Sequence, residues 1–227
     1  MCLRWFMRIT RFGHSCVLFE SQGARILVDP GVFSCGFEDV RDLDAVVVTH
    51  EHPDHVDVDR LAGLMEANPQ AQLFSEAGLG RRLRAECGVE TVDMAPGELF
   101  SVGTVMVEPV GNMHAVIYRT MERVRNTGLV LREQGGAVAY HPGDALDVVP
   151  DAVDVLCVPI AAPWSAMKET IDWVARCGAR RLVPIHDGIL SAGGREIFMR
   201  QIANLSVGVN DDPREWIVDA MQEPVTV

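Results

Sequence analysis

The strongest constraint in this sequence is the run Thr49-His50-Glu51-His52-Pro53-Asp54-His55, which begins where the apolar stretch Ala45–Thr49 ends. An uninterrupted apolar strand is one covered on both faces. The run itself puts three imidazoles and the Asp54 carboxylate within six residues, a donor set suited to Zn²⁺, Fe or Mn. A turn leaving a strand end points alternate side chains at one spot. His50 and His52 can therefore clasp one ion, while Asp54 and His55, further round the turn, serve a neighbouring one. Glu51, between two ligands, points away.

The rest of the chain supplies the layers such a strand needs. Met7–Phe12, Cys16–Glu20 and Arg25–Asp29 read as an antiparallel meander, with a turn at Gln22-Gly23 and a stop at Asp29-Pro30-Gly31. Asp57–Ala67 and Ala77–Glu86 have helical spacing. Further strands are expected at Val102–Val110, Thr127–Arg132, Ala137–Tyr140, Val155–Pro159 and Arg181–Pro184. Helices are expected around Ala166–Cys177 and Gly194–Leu205, and a closing strand or loop at Arg214–Val218. This order predicts an α/β fold, an αββα sandwich of two mixed β-sheets flanked by helices.

Composition narrows the function. With 227 residues the chain fits a single domain, 1–227, in which residues 1–6 form a dispensable N-terminal extension and Met7 a second start. Hydrophobic residues make up 48% and aromatics 6%, so the core is built from Val, Leu, Ile and Ala. A net charge of −12 repels phosphate backbones and speaks against nucleic acid as a partner. No stretch approaches the ~20 apolar residues of a membrane span, and the N-terminus has no secretory pattern. The six cysteines form no C-x-x-C pair, which fits reduced thiols in a cytoplasmic protein.

Three further metal-ligand candidates share the setting of the first run. His114 follows the strand ending at Val110, Asp144 follows Ala137–Tyr140, and His186 follows Arg181–Pro184. Each lies just past an apolar strand, where α/β sheets gather their sites. On these residues, in this order and spacing from Gly13 to about Gly188, the chain resembles the metallo-β-lactamase superfamily. Gly13-His14-Ser15-Cys16, Asp29-Pro30-Gly31, Asn126-Thr127-Gly128 and Val158-Pro159-Ile160 look most like the branch that contains L-ascorbate 6-phosphate lactonase.

The resemblance implies that His50, His52 and His114 hold one divalent metal, that Asp54, His55 and His186 hold a second, and that Asp144 bridges them. Zn²⁺ comes first, with Mn²⁺ or Fe²⁺ as alternatives. Asp29 matches an aspartate used for support near the site. The implied activity is that of a binuclear metal-dependent hydrolase, in which a metal-bridging hydroxide attacks a small ester, lactone or phosphoester. Asp54 and His14 are its catalytic candidates, and the family allows a homo-oligomer. Relatives with this resemblance differ at identifiable points. True β-lactamases usually lack the bridging Asp, and the glyoxalase II-like Gly-His-Thr-Pro-Gly-His pattern is missing around Gly111-Asn112-Met113-His114. Two other classes stay open: a di-iron redox protein of the same fold, although such members commonly carry Glu where His52 stands, and a non-catalytic metal-binding or sensor module.

Other residues have two readings. His14 is either a pocket group, as proton donor or substrate contact, or a hydrogen-bonded core histidine. His141 reads as structural. Arg119, Arg123 and Arg125 are a phosphate or carboxylate clamp, or a solvated loop. Trp164 lines the substrate mouth or fills the core.

Overall fold

In β4 (Ala45–Val47), Ala45 and Val47 enter one apolar cluster, while Val46 and the following Val48 enter another. That alternation, repeated in neighbouring strands, decides the layers. In this computed structural model, which describes residues 7–21, 23–207, 211, 213–217 and 223–227, two mixed seven-stranded sheets pack face to face. The expected extension at residues 1–6, Gln22 of the first turn, and Val218 lie outside the described residues.

The first sheet runs in the order β14-β1-β2-β3-β4-β5-β6. Its strands are β1 (Arg8–Arg11), β2 (Val17–Ser21), β3 (Ala24–Val28), β4, β5 (Gln72–Ser75), β6 (Val92–Asp93) and β14 (Val225–Thr226). The first three form the expected antiparallel meander, and β3 to β6 run parallel. The second sheet runs β13-β12-β11-β10-β9-β8-β7. It comprises β7 (Phe100–Val102), β8 (Val105–Val110), β9 (Gly128–Glu133), β10 (Val138–His141), β11 (Val155–Pro159), β12 (Arg181–Ile185) and β13 (Glu215–Trp216).

Val17, Phe19, Val28 and Val47 from the first sheet meet Val107, Leu131, Cys157 and Val183 from the second in the central core. The outer face of the first sheet is covered by α1 (Val58–Ala67) and α2 (Ala77–Cys87), through Leu61, Leu64, Leu79 and Leu83. The second is covered by α3 (Met167–Cys177) and α4 (Ala192–Leu205), through Trp173, Val174 and Ile202. The αββα sandwich expected from the sequence is the fold observed. Among the described residues, no helix is long and apolar enough to cross a membrane.

Three details differ from the sequence reading. Val102–Val110 is not one strand but a hairpin, turning at Gly103 with φ 54°, where an added Cβ would stand 1.5 Å from the Gly23 carbonyl oxygen. Only glycine fits there. The helix expected from Gly194 starts at Ala192, because Ser191 caps it by accepting from the Gly194 N–H. Strands β5, β6 and β14 carry too few apolar residues to show a period.

One end of the sandwich collects the functional side chains. β1, β3 and β4 run the same way, as do β8, β10, β11 and β12, and His14, Asp29, His50, His114, Asp144, Trp164 and His186 all follow the C-terminal ends of these strands.

Candidate metal centre

Two groups of ligand atoms form where the loops meet. His50, His52, His114 and Asp144 bring their donor atoms within 4.8 Å of one another, and His14, Asp54, His55 and His186 do the same. The sequence-derived ligand candidates are thus all brought together in two groups, with His14 joining the second and Asp144, placed in the first, reaching His55 and His186 of the second. Its Oδ2 lies 3.2 Å from His114 Nε2 and 3.1 Å from His186 Nε2, while its Oδ1 lies 3.1 Å from His55 Nε2.

Hydrogen bonds at the far side of each ring decide which nitrogen faces the centre. His114 Nδ1 is 2.6 Å from the Ala115 carbonyl and His186 Nδ1 is 2.8 Å from the Ala161 carbonyl. A carbonyl only accepts, so both Nδ1 atoms carry protons. His55 Nδ1 donates to Asp29 Oδ2 at 2.7 Å. Thr49 Oγ1 spends its proton on the same Oδ2 (2.7 Å), so toward His50 Nδ1, 3.1 Å away, it accepts. In the neutral rings, four Nε2 lone pairs are therefore turned inward, an arrangement that histidine–carboxylate and histidine–carbonyl pairs commonly impose on metal ligands.

Nε2 of His114, Nε2 of His186 and Oδ1 of Asp144 are buried without a well-angled hydrogen-bond partner. His50 Nε2 faces His52 Nδ1 at 3.1 Å. Converging lone pairs and orphaned buried acceptors of this kind fit divalent cations.

The electrostatics agree. Burial opposes the charge on Asp144, yet His55, His114 and His186 hold its carboxyl well below the usual carboxylate range. Burial likewise opposes the charge on Asp54, but hydrogen bonds from His14 and His186 lower its pKa. Burial would depress His55, but Asp144 and Asp29 override it and push its pKa well above the ordinary imidazole value. For His186, burial is outweighed by Asp144 and Asp54, and its pKa rises to about 9. His50 and His52 are lowered, chiefly by burial, and stay neutral. Protons on His55 and His186 thus supply positive charge that a cation would supply in their place.

His14 is the exception in its group. Its Nδ1 accepts the Gly188 N–H at 3.1 Å, so Nε2 carries the proton and faces Asp54 Oδ2 at 3.0 Å. The ring is buried, desolvation lowers its pKa, and it stays neutral as a hydrogen-bond donor to Asp54. His14, Asp29 and His186 all have positive φ (46°, 52° and 58°), backbone strain concentrated at the site.

Asp29 is fully buried and only accepts: Oδ1 from the Thr49 N–H (2.8 Å), Oδ2 from Thr49 Oγ1 and His55. His141 is structural, bonded to the Ser15 carbonyl at 3.0 Å and to the Gly143 N–H at 3.2 Å. Arg123 donates to the His114 carbonyl and Arg125 to Asn112 Oδ1, both at 2.7 Å, while Arg119 stacks on Tyr118. Trp164 stands at the site with its indole N–H 2.7 Å from Asp144 Oδ2.

Two supports were not assigned from the sequence. Asn126 Oδ1 accepts the Asp144 N–H at 2.9 Å while its amide donates to the Pro142 carbonyl. Arg11, buried on β1, pairs with Asp187 at 2.6 Å. Asn126 had a signal, its place in Asn126-Thr127-Gly128, but no role followed from it.

Comparison with known proteins identifies the family. The model of a family described as the β-lactamase superfamily domain matches residues 8–186. Protein Rv0786c of Mycobacterium tuberculosis is 38% identical over 201 residues, covering 88% of this chain and 93% of that one. A UPF0173 metal-dependent hydrolase of Geobacillus thermodenitrificans is 27% identical over 201 residues, covering 79% and 85%. Among solved structures, Igni18, a metallo hydrolase from Ignicoccus hospitalis, superposes with a TM-score of 0.73 at 20% identity, covering 98% of each chain. With its fold, its strand-end ligand groups and these matches, the chain belongs to the metallo-β-lactamase superfamily, and UPF0173 metal-dependent hydrolases are among its homologues.

Proposed function

We propose that the protein is a binuclear metal-dependent hydrolase acting on an uncharged ester or lactone in preference to a phosphoester. The observation that carries the reading is the inward turn of histidine lone pairs around Asp144, with its orphaned oxygen. His50, His52 and His114 would hold one cation, Asp54, His55 and His186 the other, and Asp144 both. Divalent cations there supply a nucleophile at neutral pH, by lowering the pKa of water from ~15.7 toward ~7, and stabilise negative charge developing on the substrate. Zn²⁺ suits the imidazole-rich set, and Mn²⁺ and Fe²⁺ suit its carboxylates.

The chain's own groups do the rest. The contacts of Asp54 run to Oδ2, which accepts the hydrogen bond from His14 Nε2, and Oδ1 is left to orient the attacking water and accept its proton. His14 acts through Asp54, as a positioning residue. No side-chain nucleophile is required.

The mouth has apolar side chains that support a substrate with an apolar part. Phe33 stands edge-on to His14 at 5.2 Å, Ile117 and Met121 share a cleft with His52, His114, Glu122 and Arg123, and Val116 shares another with Trp164, Glu169 and Arg176, so each cleft sets one arginine against one glutamate. Phe33, Val116, Met121 and Ile189 are each about half exposed. A phosphorylated lactone, suggested by the branch that the sequence motifs resemble, needs an anion clamp. Arg125 donates to Asn112 Oδ1 instead, and Arg123, which lines the cleft with His52 and His114, spends its Nε–H on the His114 carbonyl beside Glu122.

The test is elemental analysis of wild type and Asp144→Ala, with an aryl ester, an alkyl-substituted lactone and an aryl phosphodiester as probes. About two metals per chain, falling in the variant together with hydrolysis, is the expected result. The ester and lactone should turn over faster than the diester. Less than about half an equivalent of metal, after reconstitution with Zn²⁺, Mn²⁺ and Fe²⁺, refutes the binuclear site.

A further inference from the structure

β11 lies between β10 and β12 in the second sheet, yet it contributes no ligand candidate, while the loops after both its neighbours do. Its own C-terminal segment, residues 161–165, touches both of those ligands. The Ala161 carbonyl takes the His186 Nδ1 proton at 2.8 Å, and the Trp164 indole N–H meets Asp144 Oδ2 at 2.7 Å. The segment is held in shape by its own bonds: Ser165 N–H to the Ala162 carbonyl and Ala162 N–H to Ser165 Oγ, both at 3.1 Å.

We propose that Trp164 is a positioning residue for the metal-bridging carboxylate, and that the 161–165 turn sets the geometry of the two-cation centre. This rests on the binuclear reading above. Indole is a donor only and cannot ligate a cation, so its bond to Asp144 serves to fix the carboxylate. The main-chain bond from Asp144 to Asn126 holds its backbone but leaves the carboxylate free to turn. Trp164 also stands edge-on to His114 at 5.9 Å and to His186 at 6.3 Å, one ligand candidate from each group. A side chain that merely filled space would have no reason to aim its single polar atom at the oxygen nearest both groups.

The experiment uses the full-length wild type, Trp164→Phe, which keeps an aromatic ring but lacks the N–H, and Ser165→Ala, which keeps the indole but loosens its turn. Metal affinity is measured by competition with a chromophoric chelator, and the Co²⁺-loaded proteins are compared by visible absorption. Trp164→Phe should bind metal about 10–100-fold more weakly, the usual cost of removing an outer partner of a ligand. Its Co²⁺ bands should shift, and Ser165→Ala should follow in the same direction by a smaller factor. The chelated proteins should melt within about 2 °C of one another, since Trp164 and Ser165 are partly exposed and belong to none of the apolar clusters. Affinities within about threefold of wild type, with an unchanged Co²⁺ spectrum in both variants, would overturn the proposal while leaving the hydrolase reading intact. A wild type that fails to bind metal would instead bring down the reading on which the proposal rests.

Discussion

At the level of single residues, the centre depends on acceptors placed behind the histidines. Asp29 is the clearest case, because every group within hydrogen-bonding distance of its carboxylate is a donor: the Thr49 N–H, the Thr49 hydroxyl and His55 Nδ1. Asp29→Asn keeps the shape but turns one oxygen into an NH₂ that must face one of these donors. If it faces His55, the ring must give up its Nδ1 proton and keep one on Nε2, the atom turned toward Asp144. We expect a loss of about 1–3 kcal/mol of stability in the metal-free protein, the cost of an unsatisfied buried polar group. Metal affinity should fall about 10–100-fold. Urea unfolding in chelator and a metal titration measure the two effects separately, and unchanged values in both would remove Asp29 from its supporting role. The ligand candidates themselves were legible in the sequence, because each is a His or Asp set just beyond an apolar strand. The groups behind them were less so. A Thr hydroxyl, an Ala carbonyl and an indole N–H carry no motif, and their partners lie in other loops. His14 had two readings in the sequence, and the N–H of Gly188, 174 residues away, decides its tautomer.

At the level of elements, the loop after β10 is the part of the scaffold with least room. Gly143 has φ 59°, and a Cβ there would stand 2.2 Å from Asn126 Oδ1 and 2.8 Å from Thr49 Oγ1. Those oxygens hold the Asp144 N–H and Asp29, respectively. Gly143→Ala therefore strains its own backbone and pushes on the supports of both metal groups. The expected cost is about 1–3 kcal/mol of stability, together with loss of bound metal and of hydrolysis. Urea midpoints and elemental analysis check it, and a variant with wild-type metal content would show that this loop yields without moving Asp144. Most elements were legible for a simple reason: strands such as Val155–Pro159 are buried on both faces and read as unbroken apolar runs. The missed ones were short. Both residues of β6 are exposed, and β5 has only Leu73 and Phe74 to mark it. The hairpin at Gly103 was hidden because β7 and β8 together mimic one long strand, and only the close approach of Gly23 forces the turn.

Over the whole molecule, the site can keep its shape only if the two sheets keep their relative position, since each supplies part of every ligand group. His14 and the 50–55 loop come from the first sheet, and His114, Asp144 and His186 from the second. Apolar packing between sheets is not directional, so a polar pin at the functional end would add register. Arg11 and Asp187 form such a pin. Arg11, at the end of β1 in the first sheet, has 2% side-chain exposure, and its Nη2 lies 2.6 Å from Asp187 Oδ2, just past β12 in the second. The same Oδ2 takes Arg195 Nε from α4 at 2.7 Å. The two partners are thus unequal. Replacing Asp187 takes the shared carboxylate from both arginines, one of them deeply buried, whereas replacing Arg11 leaves Asp187 still paired with Arg195. Asp187→Asn should cost about 3–5 kcal/mol, the range for breaking a buried ion pair from one side. Arg11→Met should cost clearly less, and the double variant should fall well short of the sum of the two. Urea unfolding of the chelated proteins measures all three without interference from metal. A cost below about 1 kcal/mol for Asp187→Asn, the value of an exposed pair, would mean that this pair does not pin the sheets, whose register then rests on packing and on the other hydrogen bonds between them, such as His141 to the Ser15 carbonyl.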